Sequence, residues 1–191
     1  MRYDFYAYLD RMKYIKRWQL MRSEREENIM EHSQSVAVIS HALATIHNKI
    51  YGGSADVAKT VLYALYHETS EVMTGDLPTP VKYYNPDIRA AYKQVERVSA
   101  DKLLELLPEA LRPSYAPLVR ESDPTVHDIV KAADKLSAHI KCIEELRAGN
   151  QEFASAAEQT RQALTDMHLP ELDWFLEHCL DSFGKNLDQL E

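Results

Sequence analysis

Cysteine is nearly missing from this chain, with two residues, Cys142 and Cys179, among 191. Two thiols cannot build a disulfide framework, so an apolar core has to hold the fold and a reduced compartment is the default. Neither thiol has neighbours that mark a nucleophile, and both read as core residues. Glycine is scarce as well, at 5 residues, which suits a compact helical protein better than a loop-rich one. No apolar run approaches the ~20 residues of a membrane span, and the first residues lack the apolar stretch of a signal peptide. A cytoplasmic protein with no membrane partner is expected. Positive charge is in deficit, 22 Lys and Arg against 30 Asp and Glu, for a formal net charge of −8. A nucleic-acid polymer is therefore not an expected partner, because phosphate contacts supply most of that affinity.

What is present is helical. Apolar residues make up 45% of the chain and recur at helical spacing, without a run of alternating β-branched residues, an internal repeat or a low-complexity linker. An all-α fold is expected, one domain over 1–191 with a real core and roughly seven helices. A short amphipathic helix around Phe5, Leu9 and Met12 leads to Lys16-Arg17-Trp18. A longer one runs from about Ile29 to Ile50 and stops at Gly52-Gly53. Ser54 is read as the cap of a third, through Val57, Val61, Ala64 and Leu65, which reaches His67-Glu68. Pro86-Asp87 opens a helix to about Leu107, stopped by Pro108, and Asp123-Pro124 opens another that ends at Gly149-Asn150. Two more are predicted, around Phe153 to Met167 and Leu172 to Phe183. Within the first 25 residues, Arg2, Arg11, Lys13, Lys16, Arg17, Arg22 and Arg25 face only Asp4, Asp10 and Glu24. Such a local excess suits a small anion or is a solvated basic helix.

His67-Glu68 followed by Glu71 is the most informative string. Imidazole and carboxylate together are donors that Mn, Fe, Co and Zn accept, and a bound metal acidifies water near neutral pH. Glu68 follows Ala64 by one turn and so faces the core, where an unpaired carboxylate is costly. Glu71 shares a face with both if the helix continues. The string is not the zincin H-E-x-x-H, and no Glu-x-x-His pair occurs, which counts against a ferritin-like di-iron bundle. His32 falls in the middle of the stripe Val36, Ile39, Leu43, Ile46 and Ile50, where it is either a core histidine bonded to a carbonyl or a ligand. His41 points away from that stripe and reads as surface. Asp134 lies beyond the edge of the stripe Val126, Ile129, Ala133, Leu136, Ile140 and Ile143, and periodicity makes it a surface carboxylate. A Gly- and Pro-punctuated segment, Thr74 to Lys82, follows the string, as a catalytic loop would. A metal-dependent hydrolase is the expected class.

His, then His-Asp, then a distant Asp is the ligand pattern of the HD-domain phosphohydrolases, and this chain resembles it with Glu68 in the second acidic position. Lys16-Arg17-Trp18, Glu31-His32-Ser33, Tyr66-His67, the run Ser70 to Tyr83, Ala133-Asp134 and Lys141-Cys142 resemble one branch, the bacterial 5′-deoxynucleotidases. The resemblance implies an all-α HD fold with a metal site between helices, a homodimer, and hydrolysis of deoxyribonucleoside 5′-monophosphates. It implies one divalent transition metal ion (Co, Mn, Zn or Fe) held by His32, His67, Glu68 and Asp134. By the same resemblance Arg17, Trp18, Asp76, Thr79, Pro80, Val81 and Lys82 contact the nucleotide, together with His32 and Asp134. Glu71, Arg17 and Asp76 are implied in catalysis: Arg17 as a planar fork for phosphate, Glu71 as a proton carrier that either orients the water or protonates the leaving oxygen. Asp76 either positions water, bonds the sugar 3′-OH or is a turn residue after Gly75. Glu68 is one methylene longer than Asp, a reach of about 1 Å that metal sites tolerate. Two rivals stand beside this expectation: an HD-fold regulatory protein that binds nucleotide but lost turnover through Glu68, and a helical scaffold whose histidines are merely packed.

Overall fold

The computed structural model describes residues 2–82, 84–120 and 123–190; Tyr83, at the end of the run that resembles the deoxynucleotidases, lies outside them. Among the described residues there is no strand, only an isolated bridge between Lys16 and Asn28. All seven predicted helices are present: α1 (Phe5–Asp10), α2 (Ile29–Lys49), α3 (Val57–Tyr66), the short α4 (Glu71–Thr74) and α5 (Thr79–Lys82), α6 (Pro86–Glu105), α7 (Arg112–Val119), α8 (Pro124–Arg147), α9 (Ala154–Thr165) and α10 (Pro170–His178), of which α4, α5 and α7 are additional. Pro117, inside α7, reads as a helix breaker and hides the element from a sequence pattern, whereas Pro113 sits in the opening turn, where a missing N–H costs nothing. No helix is long and apolar enough to cross a membrane among the described residues.

Local chemistry sets the ends. Asn28 caps α2 through a reciprocal box with Glu31, its side chain accepting from the backbone of Met30 at 3.1 Å and Glu31 at 3.0 Å. Gly52, at φ +70, takes the left-handed turn that a side chain would strain. Asp56 rather than Ser54 caps α3, accepting from the Lys59 amide at 2.9 Å. Asn48 is the reason: its amide holds both the N–H and the carbonyl of Ala55, at 2.7 and 2.8 Å, so the turn extends two residues further. The last predicted helix divides into α10 and a 3-10 turn, Leu180–Gly184, because Cys179 leaves the helical region at φ −121.

Helix α8 runs through the middle, packed against α2, α3 and α9. Its buried set includes Val130, Ala132, Ser137, His139, Lys141 and Cys142 beside the predicted stripe. A helix covered on several sides has no single inward face, so one periodic stripe underestimates it. A main apolar cluster joins α2, α3, α8 and α10, and a second gathers Phe5, Leu103, Leu104 and Leu107 with Tyr66, Val72 and Tyr115 around them. The segment from Ala64 to Val72 crosses from one cluster to the other, and His67, Glu68 and Glu71 lie on that crossing.

The basic excess of the first 25 residues does not become a patch. Lys13, Lys16, Arg17, Arg22 and Arg25 pair with Asp10, Glu26, Glu27, Glu152 and Glu31 respectively. The 16–28 segment is also tied to α8 by Glu145, buried against Lys141 and accepting from the amides of Glu24 at 2.9 Å and Arg25 at 3.3 Å and from Asn150 at 2.8 Å. Burial alone would raise the Glu145 carboxyl, but these donors hold it down at about 2. A depressed carboxylate stabilises the fold fully above its ordinary value of 4.5 and loses that contribution as pH falls toward 2. Lys141→Met, which strips the buried partner, is expected to cost about 3 kcal/mol, a fall in Tm of roughly 6–12 °C in a thermal melt at pH 7. A shift under about 2 °C would show that the amide donors alone suffice.

Candidate active site

The end of α3 aims His67. The last carbonyls of a helix lack intrahelical partners, and here side chains supply them: His67 Nδ1 donates to the Ala64 carbonyl at 2.6 Å, and Thr69 Oγ1 to that of Tyr66 at 2.8 Å. The backbone then tightens, with the amides of Thr69, Glu71 and Val72 each bonding three residues back. His67, Glu68 and Glu71 therefore converge through a turn and the start of α4, not along one continuous helix. With Nδ1 engaged, Nε2 is the ring nitrogen left to face the group; it is buried, makes no hydrogen bond among the described residues, and lies 3.3 Å from Glu68 Oε1. Burial would lower the His67 pKa, and the Glu68 carboxylate raises it.

His32, buried on α2, turns Nε2 to Asp134 Oδ1 at 3.0 Å and Nδ1 to Ser137 Oγ at 3.3 Å. Its partners are thus side chains of α8 and not the carbonyl that a plain core histidine would take. Asp134 corrects the periodicity, which made it a surface carboxylate: it is half-buried at 35% exposure, and its oxygen faces the α2–α8 seam. Burial would raise Asp134, but the hydrogen bond with His32 and the charge of Arg17 bring it down to about 2. Burial and Arg17 lower His32, keeping it the neutral imidazole that metals accept. With a metal on Nε2, His32 would take the other tautomer and donate Nδ1–H to Ser137 Oγ, a contact already at 3.3 Å. One donor atom each from His32, His67, Glu68 and Asp134 lies within 4.8 Å of all the others. Two imidazoles and two carboxylates so gathered, with one buried nitrogen unpartnered, fit a divalent transition metal. The extra methylene of Glu68 does not open the group.

Glu71 is buried behind Glu68. Burial and the Glu68 carboxylate push its carboxyl well above the usual range, and it holds the proton while Glu68 stays ionised beside His67. Asp76 is half-buried and raised, chiefly by burial, with Arg17 pulling the other way. Arg17 sets its Nε 3.6 Å from Glu27 and leaves Nη1 buried without a hydrogen-bond partner among the described residues. Trp18 packs at a tilt against Phe153, 5.2 Å between ring centres, and donates Nε1–H to Glu27 at 3.1 Å. Lys82 pairs with Glu96 on α6 at 2.8 Å over the ring of Tyr92; burial would lower its pKa, and Glu96 raises it. Thr79, Pro80 and Val81 are exposed on α5 and bring no hydrogen bond to the histidine–carboxylate group among the described residues.

Several partners were invisible to spacing. Ser137 had a signal, since it follows Asp134 by one turn of α8. Glu27, Tyr92 and Glu96 had none, because each meets its partner from a different element. A cavity of about 320 Å³ between α2 and α8 is lined in part by Glu27 and Ser137.

The family described as 5'-deoxynucleotidase YfbR-like matches residues 4–183. A 5'-deoxynucleotidase of Vibrio cholerae is 47% identical over 97% of this chain and 97% of its own, and one of Photorhabdus laumondii is 46% identical over 97% and 95%. Among solved structures, an HD-domain phosphohydrolase of Listeria innocua superposes with a TM-score of 0.84 at 22% identity, over 94% of this chain and 88% of its own. A cyanophage S-2L HD phosphohydrolase, bound to dA and one catalytic Zn2+ ion, does so with 0.64 at 20% identity, over 92% and 96%. These last two establish the all-α HD fold.

Proposed function

The chain belongs to the YfbR-like 5'-deoxynucleotidase family, and from that premise we propose that it hydrolyses deoxyribonucleoside 5′-monophosphates to deoxyribonucleosides and phosphate. His32, His67, Glu68 and Asp134 would hold one divalent transition metal ion. The observation that carries this reading is a pair of buried nitrogens without a hydrogen-bond partner among the described residues: His67 Nε2 within the donor group, and Nη1 of Arg17, whose charge depresses Asp134. One nitrogen awaits a cation and the other an anion, the two partners a phosphomonoesterase brings together. A bound ion supplies Lewis acidity toward the phosphate and a lowered pKa for the attacking water.

The chain's own groups do the rest. Arg17 presents its free fork to the phosphate oxygens while Glu27 fixes the other edge. Water attacks phosphorus opposite the 5′ oxygen, the P–O5′ bond breaks, and Glu71 gives its proton to the leaving oxygen. That assigns Glu71 as the general acid, because burial beside Glu68 keeps it protonated. Asp76 takes the proton of the attacking water, and Trp18 lies against the sugar. Thr79 to Lys82 line the nucleotide's far side, with Lys82 held by Glu96. A homodimer in the cytoplasm and a single domain over 1–191 belong to the same proposal on the family resemblance.

Phosphate release from dAMP and AMP tests it. An indole face offers no acceptor to a 2′-OH, so dAMP is expected to be preferred roughly ten- to more than a hundredfold in kcat/KM. Chelation should abolish release, and a transition metal should restore it better than Mg. Equal rates on the two sugars would remove the sugar-reading role, and undiminished release in excess chelator would overturn the metal assignment.

A further inference from the structure

We infer that Glu27 is a positioning residue that aims Arg17 and Trp18 at the nucleotide and so sets both phosphate affinity and sugar selectivity. The inference rests on the deoxynucleotidase reading above. Three contacts converge on this one side chain and its backbone. The Glu27 carbonyl accepts the Arg17 amide at 2.9 Å, and the Ile29 amide bonds the Ile15 carbonyl at 3.0 Å on the other side of the Lys16–Asn28 bridge. Glu27 Oε2 accepts Trp18 Nε1–H at 3.1 Å and lies 3.6 Å from Arg17 Nε. Arg17 and Glu27 are both largely buried, at 16% and 15% exposure, so solvent does little to screen their pairing.

Trp18 needs such a hold. Its backbone stands at φ +58, a left-handed conformation that a bulky residue adopts only where its surroundings impose it. Phe153 supplies an apolar wall for the indole and Glu27 the bond that fixes its rotation. For Arg17, a carboxylate on Nε leaves the opposite edge of the guanidinium, with the unpartnered Nη1, facing outward from the pair. Glu27 directly precedes Asn28, the cap of α2, and the next turn of that helix carries His32. The side chain therefore ties the two nucleotide-facing groups to the helix that brings a metal donor.

Two variants separate the roles. Glu27→Gln keeps a carbonyl for the indole N–H but loses the charge beside Arg17; Glu27→Leu loses both, and the cavity between α2 and α8 that Glu27 lines gives the new side chain room. Metal content is expected to match the unmodified protein in both. Glu27→Gln should raise KM for dAMP about tenfold and keep the dAMP-to-AMP ratio within about threefold. Glu27→Leu should also lower that ratio by about tenfold or more, toward the value of Trp18→Ala. Calorimetric dissociation constants for dAMP and AMP in a Glu71→Gln background should move in the same pattern, without reference to turnover. A folded, metal-loaded Glu27→Leu protein with an unchanged ratio and KM would overturn the inference. Should Glu27→Leu fail to fold, an unchanged KM and dissociation constant in Glu27→Gln would overturn it instead. Equal dAMP and AMP values in the unmodified protein would overturn the reading beneath it, and the inference with it.

Discussion

Glu71→Gln is expected to bind deoxynucleotide as the unmodified protein does and to hydrolyse it roughly 10²–10⁴-fold more slowly. The amide matches the carboxyl in size and, like a protonated carboxyl, can donate a hydrogen bond to Glu68, so packing behind the metal-fitting group is retained. What it lacks is a proton to give. Burial and the neighbouring Glu68 carboxylate keep Glu71 protonated, so the 5′ oxygen would otherwise leave as a poorly stabilised alkoxide. Single-turnover phosphate release together with a dissociation constant for dAMP separates the two effects. Near-normal release would leave Glu71 as a packing residue, and a loss of binding in proportion to rate would place it in recognition.

Asp134→Ala is expected to lose both metal and turnover, the rate by on the order of 10³-fold, equivalent to about 4 kcal/mol of the several that a metal contributes. The substitution removes one of four converging donors and also leaves His32 Nε2 without its partner at 3.0 Å. Asp134→Asn, which retains a bond to His32 without the charge, should lose metal affinity with a smaller change in stability. Metal analysis after gel filtration, read beside phosphate release, checks both. Full occupancy and full rate in Asp134→Ala would return this residue to the surface role that helical periodicity alone suggests.

How far the site was legible depended on the element that carries each residue. The His67-Glu68 string could be read because its residues are adjacent and close an apolar stretch; even so, the convergence of Glu71 comes through a tightened turn that periodicity cannot represent. His32 was visible as a polar ring on an apolar stripe, but whether a carbonyl or Asp134 met it depended on α8. Asp134 itself carried no local signal, because α8 is covered by three helices and its inward surface is wider than one stripe. The basic excess of the first 25 residues was plain in the chain, but not which of its charges pair with Glu26, Glu27, Glu31 and Glu152 from other positions.

The sequence by itself determined the all-α class, the seven main helices and the chemistry of the His67 string, because periodicity, caps and adjacent donors act over one or two turns. Helix ends shifted where a side chain such as Asn48 bonded the backbone across a turn, which no propensity records. Only the tertiary structure decided that four donors from α2, the end of α3 and α8 meet within 4.8 Å, and that Glu27 stands behind both Arg17 and Trp18. The physical reason is range. Propensity and capping are summed along the chain, whereas a metal-fitting group and its supports are formed across it, by packing that sets which faces meet.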